Sequence, residues 1–122
     1  MKKILSFLVL TSFFLTTSLA YAGVFPDVDE DHENYKAITY LQEKGVISGN
    51  DKGEFKPEGF LNRAEALKII VNAFAVPLEE DYEILFPDVV KTDWFFKFVM
   101  AAKQSGIVKG YDDGNFKPAN EV

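Results

Sequence analysis

The sequence predicts a mainly α-helical fold built from one helix–turn–helix unit that is used in tandem. The stretch from Gly45 to Pro57 recurs from Gly106 to Pro118, an offset of 61 residues. The same offset relates Phe25–Val28 to Phe86–Val89, and no gap separates the two matches. A fixed period without slippage indicates one supersecondary unit present twice. Apolar residues at helical spacing beside these stretches indicate amphipathic helices, each with one face directed to a core.

Each repeated stretch has the residues of a helix end, a tight turn and an aromatic anchor. A glycine after an amphipathic segment ends a helix in the left-handed conformation without a Cβ clash. A Lys-Gly or Asp-Gly pair then marks a tight turn, and a phenylalanine follows it as an expected core residue. The residues in these three positions are Gly45 and Gly106, Gly53 and Gly114, and Phe55 and Phe116.

The first 22 residues read as a secretory signal peptide. A basic start at Lys2 and Lys3 precedes a nearly all-apolar segment, and Ala20-Tyr21-Ala22 has the form of an export cleavage site. The alternative is an uncleaved anchor, because about 20 apolar residues can span a bilayer. The short apolar core favours cleavage after Ala22, and then no stable membrane span is expected. The chain has no cysteine, so a lipid-modified cysteine or a disulfide framework is excluded.

The charge of the mature chain argues against several kinds of partner. Cleavage removes two of the thirteen basic residues and none of the nineteen acidic ones, which leaves a formal charge near −8. Nucleic-acid binding relies on clustered cations that neutralise phosphates, and a polybasic hold on anionic lipid needs the same. Neither is expected. About 100 residues remain, enough for one small domain.

The first unit begins with an extended segment, residues 23–31, and continues with a helix predicted over residues 32–44. Tyr35, Ile38 and Leu41 share one face of that helix. His32 is the only histidine and lies among acidic residues. Because no second nitrogen ligand exists, a solvated acidic first turn is favoured over a metal site, and no metal or cofactor is expected.

A second helix is predicted over residues 63–74. Asn62 is a natural N-cap and Glu65 follows three residues later, which predicts a capping box. The buried stripe is predicted to contain an i, i+3, i+4, i+7 set of apolar side chains. Its members are Leu67, Ile70, Val71 and Phe74.

The third helix is predicted over residues 93–105, where Phe96, Val99 and Ala102 repeat the apolar face of the first helix. Val122 aligns with Leu61, so the second unit lacks a capped second helix. Three explanations are left open: the sequence is a fragment, the product is truncated, or another chain supplies the missing surface.

Enzyme chemistry and a calcium loop are both disfavoured. With no cysteine and one histidine, only carboxylate catalysis remains, and the acidic residues lie in turns where solvated or capping roles are expected. The Asp113-Gly114 turn suggests an EF-hand, but that template needs a Glu six residues after the glycine, where this chain has Asn120. The chain is not expected to be an enzyme.

Taken together, these residues resemble the S-layer homology repeat. The order is Phe-x-Asp, an amphipathic helix, Gly-Val-Ile-x-Gly-x-x-x-Gly-x-Phe-x-Pro, and then Leu-Asn-Arg-Ala-Glu. Asn62 stands where the family usually has Thr or Ser, and Glu33 where it often has an aromatic residue. The resemblance divides the chain into a signal peptide, a complete repeat, an acidic linker and a truncated repeat without the Arg-Ala-Glu helix. The predicted bounds are 1–22, 23–77, 78–85 and 86–122.

The resemblance implies a secreted protein held at the cell wall or cell surface. Such repeats commonly occur in threes around a pseudo-threefold axis of helices, and they bind secondary cell-wall polysaccharide, often pyruvylated, or peptidoglycan. The alternative is an envelope module that binds S-layer or other envelope proteins and no glycan. By position, the family's groove residues correspond to Arg63, Asp27, Asp88, Trp94, Gly49 and Gly110.

The residues themselves leave these roles open. Arg63 is the only arginine and lies in a first helical turn, where the helix dipole disfavours a cation. Either its planar fork binds a ligand, or an ion pair with an acidic neighbour locks the two units together. For Asp27 and Asp88 a capping or turn hydrogen bond is the default. Trp94 could stack on a sugar or enter the core, and the glycines could serve turn geometry alone.

Overall fold

The computed structural model describes residues 25–122, which contain three helices. They are α1 (Tyr35–Glu43), α2 (Arg63–Ala73) and α3 (Phe96–Gln104). Turns and loops connect them, and within this range the strand-like pairing is a single antiparallel bridge between Asn62 and Glu121. The mainly helical prediction is confirmed. The predicted signal peptide lies outside the described residues.

Helices α1 and α3 each begin three residues later than predicted, because polar residues hold turns ahead of them. The Tyr35 amide donates to the His32 carbonyl at 2.9 Å, and His32 Nδ1 accepts from the Asn34 amide at 3.1 Å. Before α3, the Asp93 carboxylate accepts from the Val90 amide at 2.8 Å. The polar side chains ahead of each helix therefore accept hydrogen bonds from turn amides, and the chain forms a turn there instead of another helical residue.

Helix α2 has the predicted start. Asn62 Oδ1 accepts from the Glu65 amide at 3.0 Å, and Glu65 Oε2 accepts from the Asn62 amide at 2.9 Å. The capping box is thus complete, and the capping role predicted for Glu65 is confirmed. Gly45 and Gly106, which follow α1 and α3, adopt φ values of 68° and 74°, as expected of left-handed helix ends.

Helix α2 lies between two apolar clusters. Ala64, Leu67 and Val71 are buried in the larger cluster, where they meet α3. On another face of α2, Ile69 packs against the smaller cluster of the first unit. The larger cluster also contains Tyr82, Phe86, Val89, Phe96, Val99, Met100, Ala101, Ala102 and Phe116, and the smaller one contains Phe25, Val28, Ile38, Val46 and Ile47. One helix thereby joins both units.

The predicted stripe on α2 is wrong at two positions. Leu67 and Val71 are buried, but Ile70 is 38% exposed and Phe74 is 78% exposed. Helix α2 packs against two apolar clusters on different faces, so its buried surface is not one continuous stripe.

The predicted linker 78–85 contributes to the core as well as connecting the units. Tyr82 enters the larger cluster, and its hydroxyl accepts from the Glu79 amide at 2.7 Å.

A carboxylate clamp occurs once in each unit. Asp27 accepts from the Phe55 and Lys56 amides at 2.9 and 2.6 Å, and Asp88 accepts from the Phe116 and Lys117 amides at 2.8 and 2.7 Å. Lys56 and Lys117 both have a φ of 58°, which turns consecutive N–H groups toward one anion. Each clamp ties the start of its unit to the loop that follows the tight turn.

The clamp predicts that Asp88→Ala destabilises the protein. The Phe116 and Lys117 amides lose their acceptor beside a buried ring, which costs about 1–3 kcal/mol. For a domain of this size that lowers the Tm by at least 4 °C or so, measured by circular dichroism. The control is Asp112→Ala, an exposed carboxylate of the same unit. Equal melting of the two variants would contradict the clamp.

Candidate functional site

A cleft of about 630 Å³ lies where Trp94 of the second unit meets the first unit. One wall is the loop of the first unit from Val46 to Lys56, and a second wall is the start of α2 with the segment before it. Trp94, from the second unit, completes the lining. The volume lies in the range of small-molecule sites in proteins.

Trp94 is a half-exposed wall of this cleft. Its side chain is 56% exposed, whereas Phe96, two residues later, is buried in the larger cluster. Phe95 packs edge-to-face against Trp94, with ring centroids 5.3 Å apart. The ammonium of Lys68 lies 5.7 Å from the centre of its ring. The indole is therefore held in place from two sides while part of its surface faces water.

Gly49 also lines the cleft, and its lack of a side chain has an internal cause. A Cβ at Gly49 would lie 2.7 Å from Phe25 Cε1 and 2.8 Å from the Glu54 carbonyl oxygen. Gly110 occupies the same position in the second unit, where a Cβ would lie 2.5 Å from Phe86 Cε1. Both have φ above +70°, so backbone conformation and aromatic packing together require glycine. Gly110 does not line this cleft.

The charged side chains of the cleft differ in whether they already have a hydrogen-bond or salt-bridge partner. Glu65 is held in the capping box. The Glu54 carboxylate accepts from the side-chain Nδ2 of Asn50 at 3.0 Å and lies 4.0 Å from the Lys56 ammonium. Within residues 25–122, Lys68 makes no salt bridge, and its ammonium faces the Trp94 ring. The cleft thus combines an exposed indole with a cation that has no carboxylate partner in the described part of the chain.

Arg63 lies at the seam between the units and points away from the cleft lining. Its Nε donates to the Phe116 carbonyl at 2.9 Å. The guanidinium carbon lies 4.7 Å from the centre of the Tyr111 ring and 4.8 Å from that of Phe116. Arg63 therefore connects the units, as one of the two predicted alternatives proposes, but through a carbonyl and two rings instead of an acidic side chain. Its contact with a ligand stays a prediction.

Backbone hydrogen bonds strengthen the same seam. The amides of Arg63 and Ala64 donate to the carbonyls of Asn120 and Pro118 at 2.8 and 3.1 Å, and the Val122 amide donates to the Leu61 carbonyl at 3.1 Å. A second, shallower concavity of about 170 Å³ lies beside Arg63 and is lined mainly by apolar side chains. The second unit thus covers the first turn of α2.

Asp27 and Asp88 act in the clamps, and neither lines the cleft. Partial removal from water is the largest influence on the pKa of Asp27 and raises it. The hydrogen bonds from the Phe55 and Lys56 amides and the charge of Lys56 outweigh this effect, so the pKa lies below its ordinary value.

Of the six residues predicted for the groove, the structure brings Gly49 and Trp94 together in the cleft. Arg63 lies at the seam, and Gly110 lies in the loop of the second unit.

Sequence reasoning missed Lys68 and Phe60. Both line the cleft, and Phe60 is 81% exposed. A helical wheel could have found Lys68, because it lies on the face of α2 that carries Glu65 and is opposite Arg63. Phe60 has no periodic signal, since it lies in the irregular segment before α2.

A tandem helical repeat with an aromatic-lined cleft where the units meet is the architecture of a repeat-built binding module. Comparison of the chain with known proteins gives the family of this module. The chain matches the S-layer homology domain over residues 24–67 and 85–122. It is 37% identical over 109 residues to S-layer protein sap of Bacillus anthracis and 38% identical over 109 residues to an S-layer protein of Bacillus thuringiensis subsp. finitimus. It is also 32% identical over 134 residues to the middle cell wall protein of Brevibacillus brevis.

The chain belongs to the S-layer homology family. The alignments cover 88%, 88% and 100% of this chain but only 13%, 13% and 12% of these relatives. The family and the relatives support a cell-surface anchoring module, and they place the chain among secreted proteins of the cell surface, as predicted. Within residues 25–122, no helix combines the length and apolar composition that crossing a bilayer demands.

The lowered pKa of Asp27 predicts how the clamp responds to acid. A carboxylate whose pKa is lower in the folded state stabilises that state above its unfolded pKa of about 4, and the stabilisation is lost as pH falls through the folded pKa. Wild type and Asp27→Asn should therefore differ more in Tm at pH 7 than at pH 2. Ser48→Ala removes no titrating group and should give the same difference at both. A pH-independent difference for Asp27→Asn would argue against the clamp.

The seam predicts that Arg63→Gln loosens the second unit. The variant loses the Nε hydrogen bond and two cation–π contacts, each worth about 0.5–2 kcal/mol. Amide hydrogen exchange at Arg63, Ala64 and Val122 should accelerate, because these amides donate across the seam. Arg63→Lys should not restore protection, since an ammonium lacks the planar fork. Lys97→Gln, an exposed lysine of α3, is the control. Unchanged exchange in Arg63→Gln would show that the seam holds without the guanidinium.

Proposed function

We propose that the mature chain attaches non-covalently to the bacterial cell surface by binding cell-wall polysaccharide in the cleft at the unit junction. The observation that carries this proposal is the half-exposed Trp94 held between Phe95 and Lys68 at a cleft wall. The role is binding and not catalysis. The ligand class is secondary cell-wall polysaccharide, including pyruvylated forms, or peptidoglycan.

An exposed, immobilised indole suits a saccharide. A pyranose ring presents C–H groups on one face, and an aromatic surface with a polar edge accommodates both the ring and its hydroxyls. Phe95 fixes the indole, so little side-chain freedom is lost when a sugar stacks on it. The loop of the first unit also lines the cleft, and there it offers hydrogen-bonding groups from Ser48, Asn50 and Asp51.

The acidic body of the chain opposes an anionic polymer at long range. With a formal charge of −6 for the whole sequence, the overall field repels anions. At physiological salt, however, the Debye length is about 8 Å, so contacts inside the cleft depend on the nearest charges. Lys56 and Lys68 line it beside the carboxylates of Asp51, Glu54 and Glu65. An anion is therefore attracted only where it lies nearer to a lysine than to these carboxylates.

A second candidate is an envelope module that binds an S-layer protein or another envelope protein and no glycan. The exposed apolar side chains favour it: Phe74 is 78% exposed and Phe60 is 81% exposed. Large exposed apolar residues are typical of protein-interaction surfaces when they cluster, as Phe60, Leu61 and Trp94 do along the cleft. The relatives are themselves S-layer proteins, which is consistent with such neighbours.

Co-sedimentation with purified, protein-free cell-wall sacculi tests the proposal. The chain without residues 1–22 should bind, and Trp94→Ala should weaken binding about tenfold, the equivalent of ~1.4 kcal/mol. The control is Tyr40→Ala, which removes an exposed aromatic residue of α1 outside the cleft. Sacculi stripped of secondary polysaccharide distinguish that polymer from peptidoglycan. Binding to S-layer protein without binding to sacculi would favour the second candidate.

A further inference from the structure

We infer that the Asp113-Gly114 bond is a site of spontaneous isoaspartate formation, that the closed loop of the second unit restrains this reaction, and that the product keeps the loop open. The loop is residues 107–118, and it is closed when it covers the start of α2. Aspartate followed by glycine is prone to this change because glycine has no side chain to hinder ring closure. The first unit has Lys52-Gly53 at the same place, so of the two loops this one carries the reactive pair.

The reaction needs no reagent other than water. The Gly114 amide nitrogen attacks Cγ of Asp113 and forms a C–N bond, while the amide proton and the carboxylic acid hydroxyl leave as water. Water then hydrolyses one of the two C–N bonds of the five-membered imide. Cleavage at Cγ restores aspartate. Cleavage at the former peptide carbonyl yields isoaspartate, in which the backbone runs through Cγ and the mass is unchanged.

The pair is open to water and free of steric obstruction. The Asp113 side chain is 47% exposed. A Cβ built on Gly114 would meet no other atom within 4 Å. Neither the access of water nor the space around Gly114 therefore prevents the reaction.

In the closed loop both reacting groups have other partners. The Gly114 amide donates to the Tyr111 carbonyl at 2.9 Å. The Asp113 carboxylate lies 2.8 Å from the Lys117 ammonium and accepts from the Asn115 amide at 3.0 Å. The hydrogen bond from Lys117, and after it that from Asn115, lowers the pKa of Asp113. An ionised carboxylate has no hydroxyl to release as water, so this pairing restrains the reaction.

Lys117 connects the restraint to the closure of the loop. Its amide donates to Asp88 at 2.7 Å, and its ammonium lies 4.5 Å from the centre of the Tyr111 ring. The other contact of that ring is the Arg63 guanidinium, at the start of α2. When the loop opens, Lys117 and Tyr111 lose these positions, and Asp113 and Gly114 become free to react.

The product does not fit the closed loop. Isoaspartate adds one backbone atom before Gly114 and moves the carboxylate to another carbon. The Tyr111–Gly114 turn and the ion pair with Lys117 depend on the original spacing. A transient opening that leads to isoaspartate is thereby made permanent.

The rate of isoaspartate formation in the chain, compared with that in a peptide of residues 109–118, tests the restraint. Isoaspartate is counted with protein isoaspartyl methyltransferase at one temperature and pH. The peptide should react about tenfold faster or more, and low urea should raise the rate of the chain toward that of the peptide. Equal rates without urea would overturn the restraint, and an unreactive peptide would overturn the site itself.

Variants of the ion pair test how the loop acts. Lys117→Gln should accelerate the reaction about two- to fivefold, in line with the modest strength of an exposed ion pair, and Lys117→Arg should react as wild type does. Lys56→Gln, the same change in the first unit, is the matched control and should have no effect. Asp113→Glu should stop the reaction, because the larger ring closes slowly. A wild-type rate in Lys117→Gln would show that the ion pair is not the restraint.

Hydrogen exchange of the isomerised chain, separated by chromatography, tests the consequence. The amides of Arg63 and Ala64 donate to the carbonyls of Asn120 and Pro118, so they should exchange about threefold faster or more if the loop stays open. Unchanged exchange would show that the loop closes over the product. None of these measurements involves a saccharide, so their outcome is independent of the proposed function.

Discussion

The second unit supplies two of the four hydrogen bonds that the start of α2 requires, and the rest of the structure depends on this sharing. The first turn of any helix leaves backbone N–H groups without intrahelical partners. Here Asn62 and Glu65 satisfy each other's amides through the capping box, while Asn120 and Pro118 accept from Arg63 and Ala64. The docked loop of the second unit therefore satisfies two amides at the start of α2 that would otherwise depend on water.

This arrangement also accounts for an arginine at a helix N-terminus, where the helix dipole opposes a cation. The Phe116 carbonyl and the faces of two aromatic rings present negative charge density to the guanidinium. Their attraction is local and offsets the dipole, whose effect is confined to the same turn. Because Arg63 is held on that side, the opposite face of α2 is left to form the wall of the cleft.

The sequence predicted features whose causes are local, and it missed those that depend on the direction of packing. The capping box and the left-handed glycines follow from residues a few positions apart, and the repeat showed where the glycines would recur. The partners of Asp27 lie 28 and 29 residues away, so no local pattern names them. The exposure of Phe74 was missed for a related reason: periodicity finds an apolar stripe, but it does not say how many neighbours a helix will meet. Lys68 was overlooked because its significance depends on Trp94, which belongs to the other unit.

The two copies of the repeated loop show how one unit acquires two uses. In the second unit the loop is closed over α2, and Tyr111 stacks on Arg63 there. At the matching position of the first unit stands Asn50, whose side chain bonds within its own loop and lines the cleft. The clamps and glycines that shape the loop are the same in both copies, so the loop fold does not depend on what covers it. At this position the loop that builds the seam carries a ring that packs, and the loop that lines the cleft carries an exposed amide.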